Sequence, residues 1–275
     1  MVFANSVLGA RCNRNSGIIE MFGSIAGFVP EFGLLTDEGR KATWIIEVDC
    51  KRKPEAQVLG SAIGMKVMED VPYIKGLDRW LGRELTPGTQ DYLKDMGAAS
   101  ASNGAVGLYH VDGITPEAVE QGEQLIAPDA RIYRIDDTEL ERIRSSYPVM
   151  WKNPDARPKL AFIGCPHLSS AQLAHWADAI CNGLAASGNR RVQVPTVLTA
   201  APAVADTFRK TAAYRRLSAT GAVVSSICPL MYTNNPLCGS MPIITNSNKL
   251  RTYSTSRYYT DDEVLAYVTT GKPIK

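Results

Sequence analysis

The chain reads as an α/β protein in which parallel sheets carry helices on their faces. Three observations predict this. Short apolar runs alternate with stretches of helical periodicity, most regularly in the second half, and such alternation is how parallel strands are joined. Two of the helical stretches open on capping boxes, Ser169-Ser-Ala-Gln172 and Thr260-Asp-Asp-Glu263. Two apolar runs, Leu160–Ile163 and Ala222–Ile227, lead into a cysteine followed by proline, Cys165-Pro166 and Cys228-Pro229. Proline stops a central strand, so each cysteine falls where a buried strand reaches the surface.

Taken in order, Met1-Val-Phe-Ala4 reads as the tail of a strand. Ala42–Val48 alternates as a strand, and Glu55–Glu69 is helical. Ala105–Val111 is a strand, and Thr115-Pro116-Glu117 after it is a helix start with proline at the first position. Arg131–Ile135 is a short strand before a helix that begins near Asp136. Asn153-Pro154-Asp155-Ala-Arg-Pro158 sets two prolines among polar residues and marks a linker, so the regions are 1–153 and 154–275.

Beyond it, Lys159–Gly164 is a buried strand. The helix from Ser169 puts Leu173, Trp176, Ala177, Ile180, Cys181 and Leu184 on one face, which assigns Cys181 to the core and leaves His175 exposed. Gly188 ends that helix. Arg191–Thr199 is a strand, Ala203–Leu217 a helix, Ala222–Ile227 and Pro242–Thr245 strands, and the last helix runs from Thr260 through Thr269.

Composition narrows the function. The 275 residues hold 30 Lys and Arg against 28 Asp and Glu, a balance with no electrostatic case for nucleic acid or an anionic membrane. No apolar run approaches the ~20 residues that span a bilayer, and no secretory leader is evident, so a cytoplasmic location is expected. Six cysteines without such a leader argue against a disulfide framework. There is no CxxC or HExxH, and three histidines are too few for a multi-histidine metal centre. Thiolates are the main soft ligands on offer, and they favour zinc or iron–sulfur clusters. Cys165 and Cys228 therefore form either a shared metal site or two small buried hydrophobes. The pairs Asp136-Asp137 and Asp261-Asp262 sit at helix starts, where they complement the macrodipole.

The run Phe3-Ala-Asn-Ser-Val-Leu-Gly-Ala-Arg11, with Asn13-Arg14 after it, is followed in order by Glu47-Val48, Val71-Pro72-Tyr73, His110-Val-Asp-Gly-Ile-Thr-Pro-Glu117, Gly164-Cys-Pro-His167, Cys228-Pro229 and Thr245-Asn-Ser-Asn-Lys249. In these pieces the chain resembles the aconitase X family, which includes phosphomevalonate dehydratase, through its large subunit, and cis-3-hydroxyproline dehydratase. The resemblance implies an aconitase-like α/β fold with parallel or mixed sheets and a C-terminal three-layer domain. It implies an iron–sulfur-dependent hydro-lyase acting on a small hydroxy acid or its phosphate. Cys165 and Cys228 match cluster ligands, and His167, two residues from Cys165, would support cluster or substrate. Asn5, Ser6, Arg11, Asn246 and Ser247 match substrate-binding positions, with Arg11 suited to a carboxylate or phosphate. No catalytic base is assigned.

The resemblance also has gaps. The family's third cluster cysteine lies upstream of the first run, and the chain is expected to lack that portion. Cys12 stands where the family usually has threonine, Asn15-Ser16 where it has Glu-Gly, and Leu250-Arg-Thr-Tyr253 replaces an alanine- and histidine-rich segment. Cys12 is either a compensating ligand or drift. The expected partner is a small subunit or a chain supplying the N-terminal part; the alternative is a non-catalytic fragment or binding module. Cys165 as a nucleophile with His167 as its base is a third reading, for which one strand end gives poor geometry.

Overall fold

The computed structural model describes residues 1–236 and 238–274. They form two units, Met1–Ser145 and a second from Ser146 onward.

The first unit opens with α1 (Val2–Ser6) and α2 (Gly17–Ala26). Then follow β1 (Ala42–Val48), α3 (Ala56–Val67), β2 (Pro72–Lys75), α4 (Asp78–Leu81), α5 (Pro87–Asn103), β3 (His110–Val111), α6 (Pro116–Gln121), β4 (Ile126–Ile135) and α7 (Asp137–Ser145). The sheet is parallel in the order β3-β2-β1-β4. Helices α3 and α5 pack almost backbone to backbone. A Cβ added at Gly60 would stand 2.1 Å from the Met96 carbonyl oxygen, and one at Gly64 2.5 Å from that of Ser100. Only glycine permits this approach.

The second unit contains β5 (Leu160–Leu168), α8 (Ser170–Ala186), β6 (Thr196–Ala200), α9 (Pro202–Phe208), α10 (Ala212–Ala219), β7 (Val223–Ser225), α11 (Pro229–Thr233), β8 (Ile243–Thr245), α12 (Asn248–Tyr253), β9 (Arg257–Tyr258) and α13 (Asp261–Thr270). All pairings are parallel, in the order β7-β6-β5-β8-β9. Successive residues of β5 face opposite ways. Ala161 and Ile163 join Leu173, Trp176 and Ile180 of α8, Leu217 of α10, and Val264 and Val268 of α13. Phe162 joins Ile243 and Leu250 on the other face, so helices cover both sides and the unit has three layers. Each fully buried Leu or Ile contributes about 1.5–3 kcal/mol over leaving it exposed. Both expected capping boxes are formed, at Ser169 and at Thr260.

Several elements differ from the sequence reading. Met1–Ala4 belongs to a short helix, closed by the Val7 amide donating to the Phe3 carbonyl at 2.8 Å. The expected helix Ala203–Leu217 is broken at Arg209–Thr211: the Thr211 hydroxyl accepts from the Tyr214 amide at 3.1 Å and caps a new helix. The strand expected from Arg191 starts only at Thr196. Val192 and Gln193 donate instead to the Thr220 and Val268 carbonyls, and Pro195 has no donor for a ladder. Ala105–Val111 forms a ladder only at His110–Val111. Cys181 is half-buried, beside the apolar stripe rather than in it.

Candidate functional site

The second unit is wound outward from its centre. The chain enters at β5, steps to β6 and β7, then returns to the other side of β5 to form β8 and β9. Strand order therefore reverses between β5 and β8, and the carboxyl ends of strands at such a reversal flank a ligand crevice. Cys165 lies near the end of β5. Asn246 and Ser247 follow β8 directly, with Thr245 in register with Phe162. Cys228 follows β7, two strands away on the same sheet edge.

Cys165 is 7% exposed and packs with Phe162, Ile243 and Leu250. Leu230 and Tyr232, from the helix that Cys228 heads, pack against the same cluster. Cys228 itself is exposed and His167 is half-buried. The backbone leaves the regular ladder at Gly164, where the β5–β6 register shifts and φ is +106°. The peptide bond Cys165–Pro166 is cis. The Thr199 hydroxyl donates to the Gly164 carbonyl and fixes the kink that presents Cys165. Ser247 caps α12, its hydroxyl accepting from the Leu250 amide at 3.0 Å, and Asn246 donates to Asp261 at 2.8 Å. One turn along α12, Arg251 lies over the Tyr147 ring at 4.1 Å and donates to Asn248 at 2.8 Å.

The other sequence-derived site residues are in the first unit. Asn5 is buried, donates to the carbonyls of Cys12 and Gly107 at 2.8 and 2.9 Å, and accepts from the Cys12 amide at 2.9 Å. Ser6 accepts from the Tyr109 amide at 2.9 Å. Arg11 pairs with Asp37 and donates to the Leu35 carbonyl at 3.0 Å. The Cys12 thiol lies 3.2 Å from the carbonyl oxygen of Asn13. Sequence reasoning missed Arg40, a buried cation held by both carboxylate oxygens of Glu117 at 2.7 and 2.8 Å. His110 completes this cluster, its Nε2 donating to the Arg40 carbonyl at 2.9 Å. Glu117 in the Thr-Pro-Glu helix start was the available signal; nothing local named its partner 77 residues away.

A cleft of about 310 Å³ opens beside Arg52, Lys53, Glu55, Asp137, Glu141 and Arg144, beyond the ends of β1 and β4. Its charges balance and favour neither an anion nor a cation. For a three-thiolate cluster the donor set is short: among the described residues no three His, Cys, Asp or Glu side chains converge to hold a metal ion. Cys165 and Cys228 follow strands β5 and β7 of the second sheet, and among the described residues no further His, Cys, Asp or Glu joins them in a metal-binding group.

The arrangement can be set beside known proteins. The aconitase X second-domain model matches residues 42–145, and the third-domain model matches residues 158–262. The chain belongs to the aconitase X family. It is 34% identical over 257 residues to the phosphomevalonate dehydratase large subunit of Thermococcus kodakarensis, covering 91% of this chain and 60% of that one. It is 32% identical over 262 residues to the cis-3-hydroxy-L-proline dehydratase of Pseudomonas aeruginosa, covering 92% and 42%. The crystal structure of Thermococcus kodakaraensis aconitase X in its holo-form superposes with a TM-score of 0.78 at 29% identity, over 97% of this chain and 65% of that one. The chain thus spans about 60% or less of these two curated relatives. The second-domain match begins at β1, so α1 and α2 stand ahead of it. The third-domain match begins just before β5 and includes Cys165, Cys228, Asn246 and Ser247.

Proposed function

We propose that this chain is the second- and third-domain portion of an aconitase X dehydratase, a hydro-lyase that removes water from a small hydroxy acid. The observation that carries the reading is the likeness along nearly the whole chain to a phosphomevalonate dehydratase large subunit; that Cys165 and Cys228 both follow strands of the same parallel sheet supports it. On this reading Cys165 and Cys228 are two thiolate ligands of an iron–sulfur cluster whose remaining ligand comes from outside these residues. Within the second unit, Asn246 and Ser247 follow β8 at the reversal crevice and would bind substrate; within the first unit, Asn5, Ser6 and Arg11 are the proposed substrate-binding residues. Cationic groups are what a carboxylate- or phosphate-bearing substrate needs. Arg11 is half-exposed, and its partner Asp37 is far more exposed, so the guanidinium can exchange that partner for a substrate anion. His167, on the same strand as Cys165, would orient ligand or substrate.

A complementing polypeptide is part of the proposal, either a small subunit or a chain that supplies the rest of the large subunit. The relatives that bear the name large subunit support the first. We further propose that the enzyme works in the cytoplasm; no described helix is long and apolar enough to cross a membrane.

The test is dehydration by the complemented enzyme, with phosphomevalonate and cis-3-hydroxy-L-proline offered separately and product followed by mass spectrometry. Loss of one water from either supports the reading and chooses the substrate class. Turnover of neither by a soluble, folded complex favours the non-catalytic fragment.

A further inference from the structure

The sheet of the first unit has a strand-order reversal of its own. The chain steps from β1 to β2 and β3, then returns to the far side of β1 to form β4. The carboxyl ends of β1 and β4 therefore flank a crevice of the kind that holds ligands. The charged cleft of about 310 Å³ lies there, lined by residues that follow those two strands. Arg40, which donates to the Asn5 carbonyl, is at the opposite end of the sheet, ahead of β1.

Four contacts build this cleft in advance of a ligand. The Lys51 amide donates to the Asp137 carboxylate at 3.0 Å, so the loop after β1 is stitched to the start of α7. Asp136 accepts from the Glu139 amide at 2.8 Å and fixes the first turn of that helix. The Tyr92 hydroxyl donates to the Pro54 carbonyl at 2.9 Å, and the Lys53 ammonium lies 4.8 Å over the Tyr92 ring. A site fixed in this way loses little freedom on binding. Helix α7 contributes Asp137, Leu140, Glu141 and Arg144, which recur at helical spacing along one face. Pro54 and Val58, both buried, and Leu140, half-buried, supply an apolar floor, while Arg52 and Glu141 are exposed.

Charge decides the class of ligand. The loop wall carries Arg52 and Lys53 with Glu55, and the helix wall carries Asp137 and Glu141 with Arg144. An anion is drawn to the first wall and repelled by the second; for a cation the signs reverse. A zwitterion gains at both when its carboxylate meets the loop wall and its ammonium the helix wall. Arg52 offers a carboxylate a two-bond fork. The volume is at the lower end for ligand pockets, which restricts the ligand to a small molecule.

We propose that this cleft binds a free α-amino acid with an aliphatic side chain, its carboxylate on Arg52, its ammonium on Glu141 and its side chain against Val58 and Leu140. The proposal is independent of the dehydratase reading.

The experiment titrates L-leucine into the purified full chain and follows it by saturation-transfer NMR, with isocaproate and isoamylamine as the analogues that lack the amino and the carboxylate group. The expected result is saturable binding of L-leucine at or below about 1 mM, with each analogue weaker by about tenfold or more. Arg52→Gln and Glu141→Gln should each weaken L-leucine by about tenfold at unchanged melting temperature, because both side chains are exposed. Lys41→Gln, which removes one charge at the other end of the sheet, should leave binding unchanged. Failure of L-leucine to saturate overturns the proposal, as does an analogue that binds equally well, indifference to Arg52→Gln and Glu141→Gln, or an equal loss in Lys41→Gln. Dehydration of a hydroxy acid, which decides the dehydratase reading, enters none of these outcomes.

Discussion

Arg40 closes its guanidinium on the carboxylate of Glu117 as a two-bond fork, Nε to Oε1 at 2.7 Å and Nη2 to Oε2 at 2.8 Å. The arginine is 1% exposed. It also donates to the Leu34 carbonyl at 3.0 Å and the Asn5 carbonyl at 3.3 Å, so one buried cation ties residues ahead of β1 to the start of α6. Removing one partner of a buried pair strands the other charge, at a cost of about 3–5 kcal/mol. Arg40→Met should therefore lower unfolding free energy by about 3 kcal/mol, and Arg40→Met/Glu117→Gln should recover much of it. Urea midpoints of the three proteins check this; a single variant losing under about 1 kcal/mol contradicts it.

His110 makes stability depend on pH. Burial pushes its imidazole below the ordinary 6.5, against the opposing pull of Glu117, 3.7 Å from Nδ1. The unfolded chain therefore takes up the proton first as pH falls. The stabilisation is complete above about 6.5 and is lost as pH drops from there toward the lower folded value. Unfolding free energy should decline between pH 7 and 5, and His110→Gln should flatten that slope. An unchanged slope in the variant would assign the effect to other groups.

Gly164 shapes the strand end that presents Cys165. With φ at +106°, a Cβ there would stand 2.5 Å from the Thr199 carbonyl oxygen and 2.9 Å from Leu168. Gly164→Ala combines backbone strain with overlap and should cost about 2–3 kcal/mol or more. The loss should appear in thermal melts of the second unit, with a change in Cys165 alkylation rate. A near-neutral substitution would mean that the kink is not needed.

The two capping boxes predict smaller effects. Ser169→Ala and Thr260→Ala each free a first-turn amide and should each cost about 1 kcal/mol, adding in the double variant because the sites are separate. Strong non-additivity in denaturant titrations would contradict independent caps.

What the sequence discloses follows from how local each cause is. The strand leading to Cys165, the helix with Leu173, Trp176 and Ile180 on one face, and both capping boxes are set by neighbours within four residues, and all are legible. Helix α5 was missed because its buried face is built of Thr89, Gly97, Ala99 and Ser100 as much as of Leu93 and Met96, so no apolar stripe marks it. Arg40 with Glu117 was illegible because a buried ion pair depends on a partner distant in the chain. The approach of Cys165, Asn246 and Ser247 to one crevice follows from a strand order that alternation alone does not specify.

The most direct test of the account loads the complemented protein anaerobically with ferrous iron and sulfide and reads iron content and visible absorbance, in the wild type and in Cys165→Ser, Cys228→Ser and Cys181→Ser. The account predicts a cluster in the wild type, its loss in Cys165→Ser and in Cys228→Ser, and its retention in Cys181→Ser, whose cysteine lies on α8 away from the sheet edge. A cluster that persists in both of the first two variants, or a complex that never takes up iron, would contradict it.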